Sequence, residues 1–322
     1  MNAEQDSVIR LERFQWLDNV KAIAIILVVV GHAGYYSNCV IKYIIDFIYE
    51  FHMPLFFMLS GVTFGLVLNR GEKKFWGNAL NIALIFVIQS VIYITLNINL
   101  QNFVKTQNVL SMKSFYNFLI EPVGHLWYLH ALFIFYLLDF VLNKAVKNDI
   151  VKLAVAFAIS ASSMFTSFGY YSKVLYMLLF FECGRQYMVT KRTPMWVCII
   201  GTLLGAVLPL ISLESIYLNK TLVLFVAITM SLLFVKIGSV RLNKKCCLFT
   251  EIGVYCIWIF IFHPYFTSMS NTVCTRLPGC LPVISLIIAT VTGVVGPLFV
   301  LFVCRKLKFD RFVTKPVTYI WK

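Results

Sequence analysis

Long apolar runs, each closed by a short polar or basic segment, recur from one end of the chain to the other. They fall near residues 17–36, 43–68, 75–98, 124–142, 150–167, 171–188, 195–212, 221–238, 251–269 and 282–304. Their lengths, about 18–25 residues, suit an α-helix crossing a hydrocarbon core. Lipid offers no water to bond backbone N–H and C=O groups, so only helices or a closed barrel span it. Barrel strands alternate over about ten residues, whereas these runs are continuous. The pattern predicts an all-α, polytopic integral membrane protein of about ten transmembrane helices. Composition agrees, with 60% hydrophobic and 13% charged residues, far from the usage of a soluble domain. A single membrane domain over 1–322 is expected, with a polar segment at 1–16 and a basic tail at 305–322. The polar start, and the long run without a cleavage signature behind it, do not read as a signal peptide.

The formal charge of +14 would suit a nucleic-acid binder if it were clustered. Instead it alternates from loop to loop. Of the 28 Lys and Arg residues, 22 fall in the termini and in every second connection. The remaining six are Lys42, Lys105, Lys113, Lys173, Lys220 and Arg276. The positive-inside rule then puts both termini in the cytoplasm. The basic excess becomes orientation and contact with lipid headgroups, and nucleic acid drops out as a partner. The nine cysteines make no metal-binding pattern, and no metal is expected. A Cys274–Cys280 bridge on the outer side fits the spacing but is not established by it. The longest connection, near 99–123, mixes polar and aromatic residues and reads equally as a lid over a polar acceptor or as a plain connector.

Histidine changes the picture most. All five (His32, His52, His125, His130 and His263) lie in apolar runs or at their outer ends. An imidazole in a membrane-length run is costly unless paired or hydrated, and it exchanges protons near neutral pH. Each alone is equally a hydrogen-bonded interhelical histidine; together they favour a hydrated polar site. Lys21 and His32 are eleven residues apart, about 16 Å of rise and within about 20° of three full turns. One helix face therefore carries a cation at its inner end and an imidazole near its outer end. Lys21, Arg70 and Lys73 at inner helix ends suit phosphate binding, and also simple anchoring. Gly61 reads as a close helix contact, and Ser60 as a donor into the helix interior. Trp127 and Tyr128 read as interfacial aromatics or as a stacking platform for a sugar.

These motifs, in this order, resemble the acyltransferase-3 family of integral membrane acyltransferases. The family's first helix carries a basic residue, ten intervening residues and a histidine, matched by Lys21 and His32. FHMPLFFMLSG at 51–61 looks like its second-helix motif, including that of the branch that O-acetylates surface polysaccharides. Arg70 and Lys73 resemble its basic pair, with Lys where Arg is common. Leu126–Leu129 and the segment from Gly253 to His263 and Pro264 resemble its later motifs. The resemblance implies acyl transfer from a cytoplasmic acyl-CoA to a hydroxyl of a glycan; acetyl-CoA, as a substrate, is the expected donor, and a glycan or lipid-linked glycan such as O-antigen or capsule the expected acceptor. It implies a bacterial inner-membrane enzyme with His32 as base or acyl carrier and His52 and His263 shaping or tuning the site. Lys21, Arg70 and Lys73 would hold the donor, and His125, Trp127 and Tyr128 the acceptor. Two rival readings are a proton-coupled exporter or lipid-linked glycan flippase, and a glycan polymerase. Neither an inverted repeat nor a broken-helix pair is evident to support transport, and the outer loop is modest for a polymerase. Oligomeric state is not legible.

Overall fold

The computed structural model describes residues 15–33, 38–68, 71–100, 110–187, 192–210, 216–242, 244, 247–277 and 280–317. Among these the regular structure is helical throughout. The helices are α1 (Gln15–Ala33), α2 (Cys39–Leu68), α3 (Glu72–Leu100), α4 (Trp127–Ala145), α5 (Asp149–Met164), α6 (Tyr170–Arg185), α7 (Met195–Val207), α8 (Ile216–Arg241), α9 (Cys247–Val254), α10 (Cys256–Arg276) and α11 (Pro282–Lys306). Every predicted apolar run coincides with a helix or helix pair. Among the described residues six spans are long and apolar enough to cross a membrane, and a seventh is added if the bent pair α9–α10 is one span. The helices α5, α6 and α7, of 16, 16 and 13 residues, fall short of the ~20 that a straight crossing needs.

The predicted span at 251–269 is not continuous. The chain bends by 87° between Leu248–Val254 and Cys256–Arg276. Side-chain bonds pin the short arm to the start of α1. Thr250 donates to Asn19 Oδ1 at 2.8 Å, and Asn19 Nδ2 donates to the carbonyls of Leu242 and Lys244 at 2.7 and 3.0 Å. Hydropathy alone cannot reveal such a bend, because both arms are apolar.

Helix α1 sits at the centre, packed against α2, α8, α9, α10 and α11. Its sequence is apolar on nearly every face, so it buries on nearly every face. Two thirds of its spanning window is buried (67%), against 28% for α11, which has most of its Val, Ile and Phe surface left to lipid. Helices α2 and α6 approach more closely than side chains allow. A Cβ on Gly61 would lie 1.9 Å from the Phe181 carbonyl oxygen, and one on Gly184 would lie 1.8 Å from that of Met58. Small residues at a crossing let backbones meet, the main route to tight packing where lipid removes the hydrophobic drive. The packing role expected of Gly61 is the one it has. Gly61→Ala is expected to destabilise by about 1–3 kcal/mol through overpacking. In detergent this should appear as a lower thermal midpoint. Gly77→Ala, with nothing within 4 Å of its new methyl, should leave the midpoint unchanged or raise it.

The outer connection is described from residue 110 onward. It contains a helical turn at Ser114–Asn117, and Tyr171 Oη donates to the Ile120 carbonyl at 3.2 Å. Cys274 and Cys280 are free thiols, not a disulfide.

Candidate active site

Three separate segments bring imidazoles together. The last turn of α1 carries His32, the middle of α10 carries His263, and a 3-10 turn at Gly124–Leu126, entering α4, carries His125. The rings of His32 and His263 are 5.3 Å apart between centroids, and those of His125 and His263 are 5.5 Å apart. His52 joins through Tyr49 of α2, whose ring lies 4.9 Å from His52 and 6.3 Å from His32. Tyr49 Oη donates to the Gly31 carbonyl at 3.3 Å, tying α2 to the turn that presents His32. Gly124, with φ of +54°, is in the left-handed region that favours glycine. A Cβ there would also lie 3.0 Å from Tyr93 Oη, so glycine permits the turn that aims His125 inward. The fifth histidine, His130, stands apart, with Nδ1 bonded to Tyr170 Oη at 2.8 Å.

The backbone fixes three of the four clustered rings. Pro264 has no N–H, so the Phe260 carbonyl loses its usual helical donor. The His263 ring fills that place, with Nδ1 at 2.8 Å from the Phe260 oxygen and 3.0 Å from that of Ile259. His52 Nδ1 lies 2.9 Å from the Ile48 oxygen, and His125 Nε2 lies 3.2 Å from the Ile261 oxygen. A carbonyl only accepts, so these contacts put the ring proton on Nδ1 of His263 and His52 and on Nε2 of His125. The Nε2 lone pair of His263 is left buried and without a partner, within the cluster that also holds His32. His32 itself is half-buried and, among the described residues, has ring contacts with Tyr49 and His263 but no hydrogen bond. Among the described residues it is the clustered imidazole whose two nitrogens are both without a hydrogen bond.

Of the aromatic pair, Tyr128 lies in the core, packed on Phe57 and Phe260, with its hydroxyl 2.5 Å from Ser60 Oγ. Ser60 also donates to the Phe56 carbonyl at 2.8 Å. Trp127 is half-buried, and the ammonium of Lys173, from the first turn of α6, sits 3.8 Å over its ring.

The predicted donor-binding cations are not all in view. Lys21 is half-buried near the start of α1, eleven residues from His32 along one unbroken helix. Lys73 is exposed on the first turn of α3, with no described contact to Lys21. Arg70 lies outside the described residues.

Sequence reasoning missed a second polar cluster. It counted Arg185 and Lys152 as loop charges, yet their side chains are only 8% and 6% exposed. Arg185 Nε lies 2.7 Å from Asp139 Oδ1, and its Nη2 lies 2.9 Å from Glu182 Oε2; both acids are 0% exposed. Asn143 bridges the two cations, accepting from Lys152 Nζ at 2.6 Å and from Arg185 Nη1 at 3.3 Å. The signal was present in the sequence: Asp139 and Glu182 interrupt apolar runs, where an acid requires a partner. Tyr49 and Lys173 were also passed over, because a tyrosine inside an apolar run and a lysine at a helix start are both ordinary.

No curated protein and no solved structure shows significant similarity to the chain. The profile of the acyltransferase domain family, acyltransferase-3, does match, over residues 14–303. That range takes in α1 to α10 and nearly all of α11, with every histidine described above. The chain therefore belongs to the acyltransferase-3 family of membrane acyltransferases.

Proposed function

We propose that this acyltransferase moves an acetyl group from cytoplasmic acetyl-CoA to a hydroxyl of a cell-surface glycan or its lipid-linked precursor, in a bacterial inner membrane. The observation that carries this reading is His32, half-buried and uncommitted beside the backbone-locked His263. An N–H of His32 turned toward the free Nε2 of His263 leaves its other nitrogen as a base. That nitrogen takes the proton of the acceptor hydroxyl as the oxygen attacks the thioester carbonyl. Collapse of the tetrahedral intermediate breaks the C–S bond, and the imidazolium returns its proton to the CoA thiolate. In a two-step variant a nitrogen of His32 attacks the thioester carbonyl, the C–S bond breaks and the CoA thiolate leaves with the proton from the ring's other nitrogen; the acceptor hydroxyl then attacks the acetyl-imidazole, the C–N bond breaks and the hydroxyl proton returns to the ring. The distribution of Lys and Arg supports cytoplasmic termini, which puts Lys21 at the inner end of α1. There it would meet the phosphates of CoA together with Lys73 and Arg70.

The bent pair α9–α10 is one feature in favour of transport, since transporters use interrupted helices. Here the break follows a short arm at one end of the span, away from the histidines, and family membership favours acyl transfer. In proteoliposomes given labelled acetyl-CoA and extracted cell-envelope glycan, label should appear in base-labile ester linkage on the glycan. Glycan crossing the vesicle membrane with no acyl turnover would overturn the proposal and leave the exporter reading.

A further inference from the structure

Lys173 is a cation that the proposed chemistry does not yet use. It lies in the first turn of α6, which contains no acidic residue. A positive charge there opposes the helix dipole, so local stability gives no reason for it. Its side chain is exposed, and among the described residues no carboxylate pairs with it. Its ammonium rests instead over the Trp127 indole at 3.8 Å. That indole packs on Phe57 at 5.7 Å between centroids, and the backbone that carries it is tied to α6 by Tyr170, whose hydroxyl donates to the Trp127 main-chain carbonyl at 3.3 Å. Trp127 follows His125 by two residues at the start of α4, and the His125 ring lies 5.5 Å from that of His263, so the ammonium rests on the segment that carries His125 into the histidine cluster. A lysine parked on an aromatic face has little to lose by turning to an incoming anion: cation–π contact at an exposed place is worth about 0.5–1 kcal/mol, a charge-assisted hydrogen bond more.

We infer that Lys173, with Trp127 beneath it, is the binding point for an anionic group on the acceptor, a carboxylate or phosphate close to the hydroxyl that is acylated. The inference rests on the acyl-transfer reading and adds the charge class of the acceptor. It makes Lys173 a specificity determinant that acts in binding, so its loss raises the acceptor KM and leaves kcat in place.

The test uses full-length protein in proteoliposomes and the cell-envelope glycan that the wild type acetylates. The glycan is offered native, after carbodiimide–borohydride reduction of its carboxylates, and after dephosphorylation. Wild type should lose about tenfold in kcat/KM on one of the two treatments, the effect of one charge-assisted contact. Loss on carboxylate reduction identifies a sugar acid, and loss on dephosphorylation identifies a phosphate; either supports the inference. Lys173→Met should show the same loss with native glycan, in KM, and be indifferent to the treatment. Lys173→Arg should keep the preference, which separates charge from folding. Wild-type rates untouched by both treatments would overturn the inference, as would a Lys173→Met defect confined to kcat, which would assign the ammonium to the transition state. If wild type acetylates no glycan at all, the acyl-transfer reading falls first, and that result is distinct from these.

Discussion

His32→Ala is expected to abolish acetyl transfer while leaving the protein folded. Removing a general base costs about 10²–10⁴-fold in rate, and removing an acyl carrier costs the whole reaction. The first leaves at most about 1% of the wild-type rate and the second leaves none. The fold should survive because His32 makes no hydrogen bond among the described residues and is only half-buried. Its ring contacts, to Tyr49 and His263, can be lost without stranding a backbone group. His263→Ala is the instructive contrast. It leaves the Phe260 carbonyl, already deprived of a helical donor by Pro264, without the ring N–H that satisfies it. That variant should lose stability as well as activity, at about 1–3 kcal/mol for a buried unsatisfied group. The measurements are label transfer, thermal midpoint in detergent and gel-filtration profile for each variant. Wild-type-like transfer by His32→Ala would sink the catalytic assignment.

Arg185→Met is expected to be the most destabilising single change outside the histidine cluster. Asp139 and Glu182 are fully buried and share the one guanidinium. Removing it strands two acids, and breaking a buried pair in this way costs about 3–5 kcal/mol. The protein should aggregate on extraction or unfold at a much lower temperature. Two comparisons show that charge burial is the cause. Adding Asp139→Asn and Glu182→Gln to Arg185→Met should restore much of the midpoint. Arg305→Met removes an exposed pair with Asp310, 4.0 Å long, together with surface contacts of the guanidinium to the hydroxyl and ring of Tyr255, and exposed contacts of these kinds are worth at most about 1 kcal/mol each. A midpoint for Arg185→Met equal to that of Arg305→Met would show that the network does not hold α4 and α6 together.

Helix location was legible from hydropathy because the requirement that creates it is local: each apolar run must satisfy its own backbone in lipid. For the same reason the eleven-residue spacing placed Lys21 and His32 on one face of α1, since a continuous helix fixes that relation without reference to any neighbour. The packing role of Gly61 was legible too. The sharp bend before α10 was not. It depends on Asn19 and Thr250 meeting across 231 residues of chain, and nothing in the local pattern marks it. The short lengths of α5, α6 and α7 were blurred by apolar residues that continue past the helix ends.

What the sequence determined by itself was the class of protein and the alignment of Lys21 and His32 on one face of α1: hydropathy and helical repeat act over a few turns and can be read along one dimension. Tertiary structure decided which histidines meet, that His130 stands apart, that Tyr128 belongs to the core, and that Arg185 is a buried partner of two acids. Those relations arise where helices distant in sequence are drawn together by close glycine contacts and by the need to pair every buried charge, and spacing along the chain carries no record of them.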